Sequence, residues 1–159
     1  METNLPKHLD TAKKKKEARS QLVLALMKYG LFLQRELGQV FQQLALNANQ
    51  FTVINEIILQ GPLSQKDLCT RLLFEKSNIS KIVKTLHEKE LISISIAPGD
   101  RRYTLLIETP QGLELWRECL KSFNNSSTDM LSVLSNEEIL STLKILNRLG
   151  KSLKDQNLK

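Results

Sequence analysis

Cysteine, proline and aromatic side chains are all scarce in this chain of 159 residues: two Cys, four Pro and 5% Phe, Trp and Tyr. Cys69 and Cys119 stand far apart, with no CxxC pair and no histidine beside either. That spacing argues against a structural zinc site or a disulfide framework. The longest uninterrupted apolar run, Leu22 to Met27, is far short of the roughly 18 residues a membrane span requires. It is also shorter than the roughly 7–15 residues of a secretory core, although Lys13–Lys16 precede it, and no small-residue cleavage site follows. The expectation is a cytoplasmic protein with no membrane partner. His8 and His87 have no companions at ligand spacing, so no metal site is expected. No GxSxG, P-loop or HExxH pattern occurs, which leaves no catalytic residue to name and no cofactor to expect.

What the chain does have is leucine, isoleucine, glutamine, glutamate and lysine, a balance that favours helix. Its length suits a single domain over 1–159, and 41% apolar residues can fill a real core. The net charge is +6, from 23 Lys+Arg against 17 Asp+Glu. Residues 1–20 hold six basic and three acidic side chains, a basic arm of net +3, and the remaining excess is spread thinly. This charge permits nucleic-acid binding without establishing it.

Residues 1–10 are expected to fray. From Leu22 the apolar positions Leu26, Tyr29, Leu33, Leu37, Val40 and Leu44 step by three or four, predicting a long amphipathic helix over 20–47. The asparagines at 47 and 49 favour a break. A shorter helix over 51–60 stops at Gly61-Pro62. Ser64 and Asp67 have capping-box spacing, Asp being a weaker partner than Glu, and open a short helix over 64–72. The next helix, over 75–90, sets Ile79, Ile82, Val83 and Leu86 on one face. Lys76, Ser77, Ser80, Lys81, Lys84 and Thr85 lie opposite, with Ser77 and Asn78 also eligible as caps.

The period then changes. Leu-Ile-Ser-Ile-Ser-Ile over 91–96 alternates as a half-buried strand does, and Ala97-Pro98-Gly99-Asp100 supplies turn chemistry. Residues 103–107 return, giving a hairpin with Arg101 and Arg102 at its tip. Thr109 then Pro110 reads as N-cap and first helical position. The stripe Leu113, Trp116, Leu120, Phe123, Met130 and Leu134 continues as a long helix, with Asn124–Ser127 as the place for a kink or fraying. Ser135 and Glu138 form a second capping box before the last helix, whose stripe is Ile139, Leu143, Leu146, Leu149 and Leu153.

The fold class is therefore mainly α with a small β-hairpin: a winged helix-turn-helix over 51–109, flanked by long helices over 20–47 and 110–155. A major groove about 12 Å wide admits one α-helix, and an arginine-tipped hairpin suits the narrow minor groove beside it. The candidate contacts to double-stranded DNA are Ser64, Lys76, Ser77, Asn78, Ser80, Lys81, Lys84, Arg101 and Arg102. Lysines neutralise phosphates, short polar side chains reach base edges, and Asp100 is expected to orient a wing arginine.

Three tracts carry a resemblance to a known family. Gly61-Pro62-Leu63-Ser64-Gln65-Lys66-Asp67-Leu68, Lys76-Ser77-Asn78-Ile79-Ser80-Lys81-Ile82-Val83, and Asp100-Arg101-Arg102 followed by Thr109 and Gly112 resemble the multiple antibiotic resistance regulator (MarR) family of bacterial transcription factors. The resemblance implies a transcriptional regulator, a repressor rather than an activator, acting as a homodimer on a pseudo-palindromic operator. It also implies a small-molecule effector, which no residue here identifies. The apolar stripes of the flanking helices exceed what the DNA-reading lobe can cover, which independently favours a dimer. The chain departs from the family at Glu90, where glycine is usual, so a differently built corner is expected. It departs again at Glu108, and at Ser93 and Ser95, which replace basic wing residues. Cys69 is expected in the core, and Trp116, Phe123 and Tyr29 as packing residues. The competing reading is a winged-helix module that binds protein rather than DNA. The basic wing tip argues against it, since protein interfaces favour aromatics over lysines.

Overall fold

The computed structural model describes residues 7–96 and 104–157, with side chains over 15–96 and 104–156. The order is α1 (Lys7–Gln42), α2 (Ala48–Gln60), α3 (Gln65–Leu72), α4 (Lys76–Glu88), β1 (Ile92–Ile96), β2 (Thr104–Glu108), α5 (Pro110–Leu131) and α6 (Asn136–Asn157). This is the expected mainly helical class with one hairpin. Two compact units are present, Met1–Leu37 and Gly38–Lys159.

The first unit is helical from Lys7, well before the expected start, so no fraying is seen over 7–10. Lysine, alanine, glutamate and leucine are strong helix formers, and no Gly or Pro interrupts 7–29. Its apolar side chains are bare: Leu24, Met27 and Leu31 are more than 60% exposed. Tyr29, expected to pack, is 58% exposed, with Lys28 Nζ 5.6 Å from its ring centre.

In the second unit, α1 ends at Gln42, earlier than expected. Ala45 turns left-handed at φ 56°, and the Leu46 amide returns to the Phe41 carbonyl. Asn47 does more than break the chain. Its side chain accepts from the Gln50 amide while Gln50 accepts from the Asn47 amide, a complete capping box that starts α2 at Ala48. Gly61 ends α2 at φ 84°, a left-handed value that favours glycine.

The core gathers Phe51, Val53, Ile54 and Ile57 of α2, Leu68 of α3, and Ile79, Ile82, Val83 and Leu86 of α4. Phe41, Leu46, Leu63, Leu91, Ile92, Leu106 and Cys119 complete it among the described residues. The four apolar positions expected on α4 are thus all buried. Phe41 and Phe51 stack at 4.3 Å, and Phe123 joins them at 6.2 and 5.7 Å. α5 continues as one helix through Asn124–Ser127, where Ser127 and Thr128 both donate to the Asn124 carbonyl, so the helix does not fray there. Ser135 and Glu138 make the expected box before α6.

β1 and β2 pair antiparallel with Ile92 opposite Glu108 and Ile96 opposite Thr104. Leu63 adds a bridge to Leu106, tying the α2–α3 connection to the hairpin. Glu90 stands at φ 58°, so the corner takes the left-handed turn without glycine instead of being built differently. The foot of the hairpin is then stitched from both sides. Thr109 Oγ1 donates to the Glu90 carbonyl at 2.6 Å, the Thr109 amide donates to Leu91, and the Gly112 amide donates to Thr109 Oγ1. A Cβ on Gly112 would sit 1.9 Å from the Leu91 carbonyl oxygen, which accounts for a glycine three residues after the threonine.

Candidate nucleic-acid interface

α3 and α4 form the helix pair, and α4 presents the outer surface. Lys76, Ser77, Ser80, Lys81 and Lys84 are all exposed, Asn78 is half-buried, and the inner face is sealed in the core. Spacings of three and four align Ser77, Ser80, Lys81 and Lys84 along one stripe. The stripe ends at Glu88, whose carboxylate lies 3.7 Å from Lys84 Nζ. Both partners are well exposed, so this i,i+4 pair holds Lys84 only weakly. Glu88 was not among the expected contacts, although its spacing from Lys84 could have revealed it.

The cap of α4 is Glu75, which makes no side-chain cap bond, so Ser77 and Asn78 sit inside the first turn and do not cap it. With no capping role, both side chains are available to a ligand. Ser64 differs. Its hydroxyl donates to Asp67 Oδ2 at 2.6 Å and accepts from the Asp67 amide, while its own amide donates to the same carboxylate oxygen at 3.0 Å. The Ser64 hydroxyl and amide hold the Asp67 carboxyl below its usual value of 3.8, burial opposes them slightly, and Arg71 and Lys66 assist. The structure therefore places Ser64 as the anchor of α3, its proton already spent.

Gln65, which is not among the expected contacts, begins α3 and accepts the Ser80 hydroxyl at 3.0 Å. No local pattern signals this bond, because its partners belong to different helices. Two further cross-element ties brace α2: Arg71 pairs with Glu56 at 2.9 Å, and the Trp116 indole donates to Asn55 Oδ1 at 3.0 Å. Trp116 thus packs as expected and also spends its polar tip. Lys89 Nζ donates to the Ala45 carbonyl.

Arg101, Arg102 and Asp100 lie outside the described residues. The described strands leading to them are apolar and hydroxylated, with Ser93, Ile94, Ser95 and Ile96 all exposed.

Cys69 is half-buried rather than in the core, because it lies beside the fully buried Leu68 on the short α3. Cys119 on α5 is fully buried. Burial first, and then the Glu118 charge, push its thiol up to about 11, so it stays protonated and unreactive at neutral pH. Among the described residues no cluster of three His, Cys, Asp or Glu could hold a metal ion. No described helix is long and apolar enough to cross a membrane.

Comparison with known proteins agrees with this geometry. The MarR family model matches residues 46–102, from the cap of α2 to the wing. The transcriptional regulator MhqR of Bacillus subtilis is 28% identical over 109 residues, 69% of this chain and 75% of that protein. The transcriptional repressor NicR of Pseudomonas putida is 30% identical over 112 residues, 66% of this chain and 71% of that protein. The crystal structure of the regulator BldR from Sulfolobus solfataricus superposes with a TM-score of 0.76 at 28% identity, covering 84% of this chain and 98% of BldR. An organohalide-sensing regulator in its 2,4-dichlorophenol-bound form shares the fold at a TM-score of 0.75 and 18% identity, covering 97% of this chain and 89% of that one. This chain belongs to the MarR family of winged helix-turn-helix, DNA-binding transcriptional regulators.

Proposed function

We propose that the chain is a repressor that binds a pseudo-palindromic operator as a homodimer, with each α4 in a major groove and each wing over the adjacent minor groove. One observation carries this reading: the two faces of α4, apolar and sealed inside, polar and basic outside. Lys76, Lys81 and Lys84 neutralise phosphates, Ser77, Asn78 and Ser80 face base edges, and Arg101 and Arg102 serve the minor groove. Ser64 contributes by fixing the start of α3. The whole chain acts as one domain, with 51–109 reading DNA and the helices over 20–47 and 110–155 joining two copies. Leu140, Leu143, Ile145 and Leu146 of α6, each 41–66% exposed in one chain, supply the apolar surface for that partner. Two-fold symmetry sets the half-sites about 34–36 Å apart.

Repression follows the sense of the relative NicR, and regulation by a small molecule follows that of the organohalide-sensing neighbour. Such an effector shifts the protein between a spacing of lobes that fits the operator and one that does not.

The test is selection of bound sequences from a randomised DNA pool at low and near-physiological salt. An inverted repeat bound with strong salt dependence is the expected result. Recovery of sequence-blind binding alone contradicts the operator reading. Absence of binding at both salts returns the protein-binding module as the better account.

A further inference from the structure

We infer that Gln65 is a positioning residue for base readout: by accepting the hydroxyl hydrogen bond of Ser80, it makes Ser80 an acceptor that selects a base carrying an amino group. The inference rests on the placement of α4 in the major groove proposed above.

A serine hydroxyl has one proton and two lone pairs, and it rotates to suit its partner. Free on a helix surface, it reads donors and acceptors alike and discriminates little. Ser80 is not free. It sits on the exposed stripe of α4, and its proton goes to Gln65 Oε1 at 3.0 Å. Gln65 is itself held. It follows Ser64 in the closed Ser64–Asp67 box, it is half-buried, and α3 packs against α4, each helix burying an apolar side chain fully, Leu68 and Ile79. The bond therefore joins two elements whose spacing the core has already set.

With its proton spent, Ser80 Oγ offers outward only a lone pair. On the major-groove edge, adenine N6 and cytosine N4 are amino donors, whereas guanine and thymine present acceptors. Ser80 therefore pairs with adenine or cytosine and sets two acceptors face to face with guanine O6 or thymine O4. The amide group of Gln65 keeps both its N–H donors for a phosphate, so one side chain serves position and affinity together.

The experiment measures binding to every single-base variant of the selected operator, with melting temperature recorded for each protein. Wild type is expected to prefer adenine or cytosine at one position per half-site by about 3- to 10-fold, the range of a neutral hydrogen bond. Ser80→Ala abolishes that preference, and Gln65→Leu abolishes it at the same position. The double variant relaxes nothing more. Gln65→Glu, isosteric and able only to accept, keeps the preference while overall affinity falls. If Gln65→Leu does not fold, Gln65→Met carries the same expectation.

A position relaxed by Ser80→Ala but untouched by Gln65→Leu or Gln65→Met overturns the role of Gln65 and leaves the operator reading intact. Loss of the preference in Gln65→Glu overturns the acceptor role of Gln65. Guanine or thymine preferred at the Ser80 position also refutes the inference, as does a Ser80→Ala protein with unchanged preferences everywhere. If no operator is selected in the first place, the failure lies with the proposed function instead.

Discussion

Glu90 occupies a left-handed conformation, φ 58°, where a residue with a side chain pays about 1–2 kcal/mol. Glycine there escapes that strain but loses about 0.5–1 kcal/mol through greater freedom when unfolded. Glu90→Gly is therefore expected to stabilise the protein by several tenths to about 1 kcal/mol, raising Tm by about 2–4 °C. Thermal unfolding checks it, and a fall in Tm contradicts the strain account. Gly112 is the opposite case. An added methyl would meet the Leu91 carbonyl oxygen at 1.9 Å, backbone against backbone, with no flexible side chain to yield. Gly112→Ala is expected to cost roughly 2–4 kcal/mol in urea unfolding, a value at or above the usual overpacking range. Glycine was legible at 112 as part of a signature. The left-handed turn at Glu90 was not, since the residue type argued against it and the Thr109 and Gly112 contacts that hold the corner lie nearly twenty residues on.

Two helices carry predictions at the scale of the element. The Asp67 carboxyl of the α3 box titrates below its ordinary 3.8, chiefly through the Ser64 hydroxyl and amide. A depressed folded pKa means the unfolded chain binds protons first. The box therefore contributes fully above about pH 4 and fades as pH falls through the lower folded value. Asp67→Asn should lower stability at neutral pH and flatten the acid side of the stability curve; denaturant titrations across pH would show no such flattening if the box were irrelevant. On α4, Lys81→Ala should weaken binding equally on all sequences and reduce the salt slope by about one unit. Glu88→Gln should do the reverse, freeing Lys84 and removing a carboxylate from the stripe. Affinity measured against salt decides both, and an unchanged slope for Lys81→Ala would remove it from the phosphate contacts. Caps and stripes of this kind are readable in sequence because their partners lie within one turn. Even so, the Asn47–Gln50 box passed for a simple break, and α1 proved longer at its start than its apolar stripe.

For the whole molecule, the lobe around α2–α4 and the hairpin buries its core within one chain, while α6 leaves leucines at 143, 146, 149 and 153 substantially exposed. A chain with that much bare apolar surface gains by pairing, since each buried Å² is worth about 25 cal/mol. Leu143→Glu combined with Leu146→Glu is expected to yield monomer in sedimentation, with the lobe still folded and operator affinity lost. A dimer that survives both changes would assign the interface elsewhere.

Periodicity, capping residues and the Gly61-Pro62 and Thr109-Pro110 punctuation determined from sequence alone that this is a winged helix-turn-helix, and which face of α4 turns outward. Those are consequences of local energetics, in which each residue answers to neighbours a turn or a strand pair away. Only the tertiary structure decided that Gln65 accepts the Ser80 hydroxyl, that Trp116 donates to Asn55, that Gly112 must admit the Leu91 carbonyl, and that Cys119 rather than Cys69 is sealed in the core. Each of these partnerships joins separate elements, and the distance between elements is set by how the whole core packs.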